Sequence, residues 1–205
     1  MALIKLNNKA VSNATAIGSI SSLGSMVFIK KLTASASATL SFVDGTDGVV
    51  LDDTYKEYVF TFNNIHPATD VATFGFLGSI DNGSSYGINK TTTQFRAYHY
   101  ENGTDANLNY RTSEDLAQST SLQGLTFDIG NASDESASGY LQIFNPSSSV
   151  FVKHFISKFN CLAYDERNNN HYLAGYFNTT TAIDGVQFKM SSGNFDGDIC
   201  LYGIA

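Results

Sequence analysis

The chain has 205 residues, with 12 Lys and Arg against 19 Asp and Glu, a net charge of −7 and a pI near 4.9. That balance excludes a nucleic-acid backbone as partner, because affinity for phosphates comes from clustered cations and only Lys30-Lys31 stand together. Hydrophobic residues make up 42% and charged ones 15%, so one sizeable core is within reach while the surface must be built largely from Ser, Thr, Asn and Gly, a neutral type common on proteins that work outside cells.

Residues 1–24 are rich in Ser, Ala and Asn, and their apolar side chains lack period two. Too polar for a core and too apolar for a plain spacer, this segment is expected to be an N-terminal arm anchored by Leu3, Ile4, Leu6, Ile17, Ile20 and Leu23, with a frayed terminus as the alternative. It holds no signal-peptide run, and no segment of the chain is apolar over the length a membrane-spanning helix needs, so no membrane span is expected. A β domain is expected over 25–205.

Strand signals begin with the apolar run 26–29 and the alternation over 34–42 that ends in Leu40 and Phe42. Asp44-Gly45-Thr46-Asp47-Gly48 reads as a turn, with Asp52 and Asp53 opening the next loop. Tyr58, Phe60 and Phe62, alternating with Val59 and Thr61, give the clearest strand, and 73–77 reads as its partner. Asp81-Asn82-Gly83 is a hairpin signal, because Asn and Gly accept the positive φ of a tight turn. Over 94–100, Phe95 and Ala97 face one way and Arg96, Tyr98 and Tyr100 the other, followed by the turn residues Asn102-Gly103.

Periodicity is lost over 104–138, where short strands are expected near Leu108 and Leu125. It returns at 140–144 and in a long strand over 150–159, with Phe151 and Phe155 opposing Val152, His154 and Ile156. The polar run 165–170 reads as a loop before 171–177, and 183–204 reads as a closing hairpin. In it Val186, Phe188 and Met190 share one face. In its second half Ile199 and Leu201 oppose Cys200, Tyr202 and Ile204, the mark of a strand covered on both faces. About ten strands joined by turn-rich links predict an all-β chain, an antiparallel β-sandwich of jelly-roll type behind a short N-terminal arm.

Candidate chemistry is sparse. His66, His99, His154 and His171 lack ligand spacing. Asn194, Asp196 and Asp198 mimic the start of a calcium loop, but Gly197 is misplaced and no glutamate follows. Glu57, Glu101, Glu114, Glu135 and Glu166 form no motif that pairs two carboxyls as a glycosidase requires. Cys161 and Cys200 lack metal spacing and are expected to be free thiols. No catalytic residue, metal or cofactor is therefore assigned, and the chain is expected not to be an enzyme. Tyr98, Tyr100, Tyr110 and Tyr164, at strand edges or in loops, are the candidate glycan contacts, since their rings can stack on the apolar face of a sugar.

The closing segment Gly193-Asn-Phe-Asp-Gly-Asp-Ile-Cys-Leu-Tyr-Gly-Ile204 resembles the end of many tailed-bacteriophage virion proteins, where a last strand of the form Gly-x-Ile-x-Leu-Tyr-Gly-Ile completes a β-sandwich. Tyr58-Val-Phe-Thr-Phe-Asn-Asn-Ile65, Gly139-Tyr-Leu-Gln-Ile-Phe-Asn-Pro146 and Ala174-Gly-Tyr-Phe177 look like earlier strands of the same pattern, so the resemblance covers about 26–205. It implies a non-enzymatic virion protein of the tail, fibre or capsid surface, made in the host cytoplasm. Its expected partners are further copies of itself, a trimer above all, and other virion proteins. The alternative is a receptor-binding module for host-surface carbohydrate.

Overall fold

The computed structural model describes residues 25–205; the arm call on 1–24 lies outside them. Twelve antiparallel strands form an all-β sandwich, a sheet folded over on itself until it nearly closes. They are β1 (Met26–Ser37), β2 (Thr39–Val43), β3 (Glu57–Pro67), β4 (Ala72–Ser79), β5 (Lys90–Tyr100), β6 (Ala106–Tyr110), β7 (Gln123–Ile129), β8 (Ala137–Phe144), β9 (Lys153–Ala163), β10 (Arg167–Phe177), β11 (Gly185–Met190) and β12 (Phe195–Ile204). The long layer runs β1-β12-β3-β8-β9-β10-β5-β6, and the short layer β7-β4-β11-β2. A bridge between Ile129 and Ala163 joins the layers along one side. Along the other, β1 passes straight into β2, with Ala36 at a positive φ just before the change of layer.

Alternation explains the core. The inward residues of β3, β12, β4 and β11 are Phe60, Phe62, Leu201, Phe74 and Phe188, all buried. Their rings meet edge to face across the layers, Phe62 against Phe188 at 5.0 Å and Phe60 against Phe188 at 5.2 Å. Each such ring contributes about 1.5–3 kcal/mol by burial and about 0.5–1.5 kcal/mol more by geometry. Phe60, Phe62, Phe188 and Leu201 thus belong to one buried cluster.

The closing segment is not a hairpin. β11 pairs with β4 and β2 in the short layer, whereas β12 lies between β1 and β3 in the long one, so residues 191–194 cross from layer to layer. A hairpin would have placed Phe188 and Leu201 in one sheet; the crossing lets them face each other across the core. The last strand is central in its layer, between β1 and β3, while its second face, with Cys200, Tyr202 and Ile204, is only partly covered. Its Gly203 is required sterically, because a Cβ there would lie 2.2 Å from the Tyr55 ring.

Three other expectations are corrected. Asn82 and Gly83 do take positive φ, but the chain then runs on to β5, which does not pair with β4, so the turn closes a loop held by Ser79 and Asp81 side chains. The 73–77 strand packs opposite β3 and pairs with β7 and β11. Phe151 precedes β9 and is 68% exposed. The strands expected near Leu108 and Leu125 are β6 and β7.

Candidate functional site

β5 and β10 reverse the alternation seen in β3. Facing inward on β5 are Lys90, Thr92, Gln94 and Arg96, and on the first half of β10 Asn169 and His171, all buried, before Leu173 and Phe177 of the same strand rejoin the apolar core. Segment 111–123 and β7 cover them and supply partners. Thr92 donates to Gln123 Oε1 at 2.7 Å, Gln94 reaches His171 Nδ1 at 3.3 Å, Arg96 pairs with Asp128 at 3.1 Å and Arg111 donates to Glu114 at 2.7 Å. Arg96 Nε, Thr126 Oγ1, His171 Nε2 and both Asn169 amide atoms make no hydrogen bond within the protein. Buried polar atoms in this position are ordinarily satisfied by internal water. Of the polar run expected as a loop over 165–170, residues 165 and 166 form the turn after β9, and 167–170 start β10, a strand because its inward positions meet this polar interior.

Cys161 and Asn169 are paired in register here, with His171 two residues on. The trio is not a nucleophile and base. Burial pushes the Cys161 thiol up to about 11, and burial together with the charges of Arg96, Arg111 and Arg167 pushes His171 down to about 3. At neutral pH the sulfur is protonated and the imidazole uncharged, the reverse of an activated thiolate.

With polar side chains inside, the outer face of the same strands carries the aromatics. One cross-strand row runs Tyr110, Phe95, Tyr172, Lys158, Tyr140 and Thr61 from β6 to β3, and the next runs Thr93, Ala174, Ile156 and Gln142. Phe95 stacks on Tyr172 with ring centres 4.7 Å apart and planes at 8°, and Lys158 Nζ lies 5.4 Å from the Tyr172 centroid. Asn170 Nδ2 donates to the Tyr172 hydroxyl at 3.1 Å, fixing the ring. Four residues along β10, Tyr176 meets His154 edge to face at 5.9 Å. Between these two aromatic walls lie two adjoining depressions, of about 300 Å³ and about 190 Å³, floored by Thr93, Ile156 and Ala174. No carboxylate lines either, although the chain holds 19 Asp and Glu. The Asp115 carboxylate at the outer end of the row accepts from the Tyr110 hydroxyl.

The four expected glycan contacts are not brought together. Tyr98 and Tyr100 meet each other at 6.0 Å on the inward side of β5, beneath the Arg167 guanidinium, and give their hydroxyls to Asp105 and Asp165. Tyr110 belongs to the outer row, and Tyr164 lies 46% exposed at the β9–β10 turn. Sequence reasoning missed Phe95, Tyr172, Tyr176, His154, Ile156 and Lys158. The available signal was the pattern Tyr172-x-Ala174-x-Tyr176, which places two rings and a small residue on one face of a strand.

Other expectations resolve locally. Asp196 accepts from the Ala36 N–H at 2.7 Å, and Asp198 accepts from Lys31 and Thr33 at 2.7 and 2.6 Å, so these carboxylates pin β1 to β12. Asp44 and Asp52 cap the N–H groups of Leu51 and Thr54. Glu114 is buried against Arg111, Glu135 accepts from the Ala132 N–H, and Glu57 accepts from Gln142. Cys161 and Cys200 are free thiols. Among the described residues no group of three or more His, Cys, Asp and Glu is placed to hold a metal, and no helix is long and apolar enough to cross a membrane.

Compared with protein-family models, curated proteins and solved structures, the chain matches none.

Proposed function

We propose that this chain is a non-enzymatic structural protein of a tailed-phage particle, built to work by surface contact as a homo-oligomer. The observation that carries the reading is the outer face of the long layer, which in an acidic chain bears exposed apolar side chains from β1 to β6. At the β1 end Met26 and Phe28 are 47% and 57% exposed, and Phe28 packs edge to face on Tyr202 at 5.7 Å. Apolar side chains gathered on one sheet face are the usual mark of a contact surface. The closing Leu201-Tyr202-Gly203-Ile204 strand adds the resemblance to phage virion proteins.

The test has two parts. Mass spectrometry of purified particles should find the chain, in many copies for a capsid-surface role or few for a tail role. Light scattering should give a trimer that Phe28→Asp dissociates. A chain missing from particles would remove the virion role, and a monomer would remove the self-association.

A second reading, a receptor-binding module for host-surface carbohydrate, is favoured by the depressions beside Tyr172. They lie on the β5–β10 half of the face, whereas the Phe28 patch lies on the β1–β12 half, so the two contacts need not compete.

A further inference from the structure

The groove between the Phe95–Tyr172 and His154–Tyr176 walls has a form that narrows its ligand. At about 3.3 Å of rise per residue, Tyr172 and Tyr176 stand about 13 Å apart along β10. The floor is only three strands wide, because Thr93, Ala174 and Ile156 come from neighbouring strands, and Tyr140 of β8 borders the smaller depression. Such a patch falls well short of the about 800 Å² per partner that a stable protein interface buries. It also lies on the face of the sheet, where a peptide strand finds no free backbone edge. Its floor combines an alanine and an isoleucine with a threonine hydroxyl, and its walls end in tyrosine hydroxyls. Apolar surface beside fixed hydroxyls suits the alternating C–H and O–H faces of a short saccharide.

Charge decides the rest. Lys158 and His154 flank Ile156 on β9, one at each wall, and no carboxylate lines the groove. Among the described residues Lys158 forms no ion pair. In a chain of net charge −7, a site that carries a lysine and no carboxylate is complementary to an anionic ligand.

Building on the receptor-binding reading, we infer that this groove binds an acidic saccharide. The apolar face of a sugar ring lies over Ala174 and Ile156 between the walls, Thr93 and the tyrosine hydroxyls take its hydroxyls, and its carboxylate meets Lys158 Nζ. Tyr172 acts as a fixed wall because Phe95 and Asn170 hold it. Lys158 is the specificity-determining residue.

The full chain is tested on an array of carboxylated glycans of the uronic-acid and sialic-acid types, each beside its carboxyl-reduced neutral counterpart. Hits are followed by methyl NMR at Ala174 and Ile156. The expected result is an acidic glycan that shifts both methyls and binds more tightly than its neutral form. Lys158→Gln should shrink that preference about fivefold, the scale of one exposed ion pair. Tyr172→Ala should weaken acidic and neutral forms alike by about tenfold, and Phe151→Ala, at a residue that lines neither depression, should change neither. Equal binding of acidic and neutral forms would overturn the acidic assignment while leaving carbohydrate recognition in place. A blank array overturns the inference outright. If that blank array accompanies an oligomer that Tyr172→Ala dissociates, a second copy of the chain occupies the groove and the structural role stands.

Discussion

β3 and β5 are both eleven-residue strands of the same layer, yet they bury opposite kinds of side chain. β3 turns Tyr58, Phe60 and Phe62 inward against the rings of the short layer. β5 turns Thr92, Gln94 and Arg96 inward and leaves Phe95 43% exposed. The difference teaches that a strand's inward face is set by what lies opposite it. β3 faces Phe74 and Phe188, whereas β5 faces Gln123 and the Glu114 loop. Burying amides and a guanidinium contributes less than burying rings and demands partners for every polar atom. Such an arrangement is tolerated where the outward side chains have work to do.

The sharpest way to break that comparison is truncation at the two kinds of site. Phe188→Ala should cost about 3–5 kcal/mol in denaturant unfolding, since it removes a ring shared by Phe42, Phe60, Phe62 and Phe74. A loss under about 1 kcal/mol would mean that the aromatic interior is not the stabilising end.

Next in size is the pH dependence of the polar end. Folded His171 takes a proton only near pH 3, against 6.5 for an ordinary histidine. Between those values the unfolded chain holds the extra proton, so stability falls as the pH drops through the interval, by up to about 1.4 kcal/mol per unit. Above pH 6.5 this group contributes no slope. His171→Gln should flatten the curve between pH 6.5 and 5, and an unchanged slope there would show that His171 is protonated in the fold.

A smaller loss, about 1–3 kcal/mol, is expected for Arg96→Met, which removes the buried partner of Asp128. Asp128 keeps Arg167 at 3.6 Å, which limits the effect. A stabilised variant would show that the ion pair adds nothing over apolar packing. Phe95→Ala, although a larger truncation, should cost under about 1 kcal/mol because the ring already meets solvent on the outer face.

The fold was largely legible in sequence and the candidate site was not, for a single reason. Tyr58, Phe60, Phe62, Ile199 and Leu201 follow the rule that apolar members of an alternation point inward, and reading them gave the right faces. Phe95, Tyr172 and Tyr176 break that rule: the pattern Tyr172-x-Ala174-x-Tyr176 puts two rings on one face, but the rule would turn that face inward. The same inversion made 168–170 look like a loop, because Asn168, Asn169 and Asn170 carry no apolar periodicity. Tyr98 and Tyr100 were picked as ligand contacts from their place near a turn, although their hydroxyls are taken by Asp105 and Asp165. The crossing at 191–194 was hidden for another reason: a short polar link between two strands looks the same whether they pair or part, and only the long-range partners β2, β4, β1 and β3 distinguish the cases.

The place of β12 between β1 and β3 also bears on how the chain reaches this state. Met26 pairs with Ile204 and Phe62 with Ile199, so the centre of the long layer is stitched from segments far apart in sequence. Closing such loops is entropically expensive before any contact rewards it. Until β12 threads the gap, β1 and β3 each present an open row of N–H and C=O groups to any passing strand. Assembly of this layer is therefore expected to be slow, and the interval before β12 docks is when neighbouring chains can mispair.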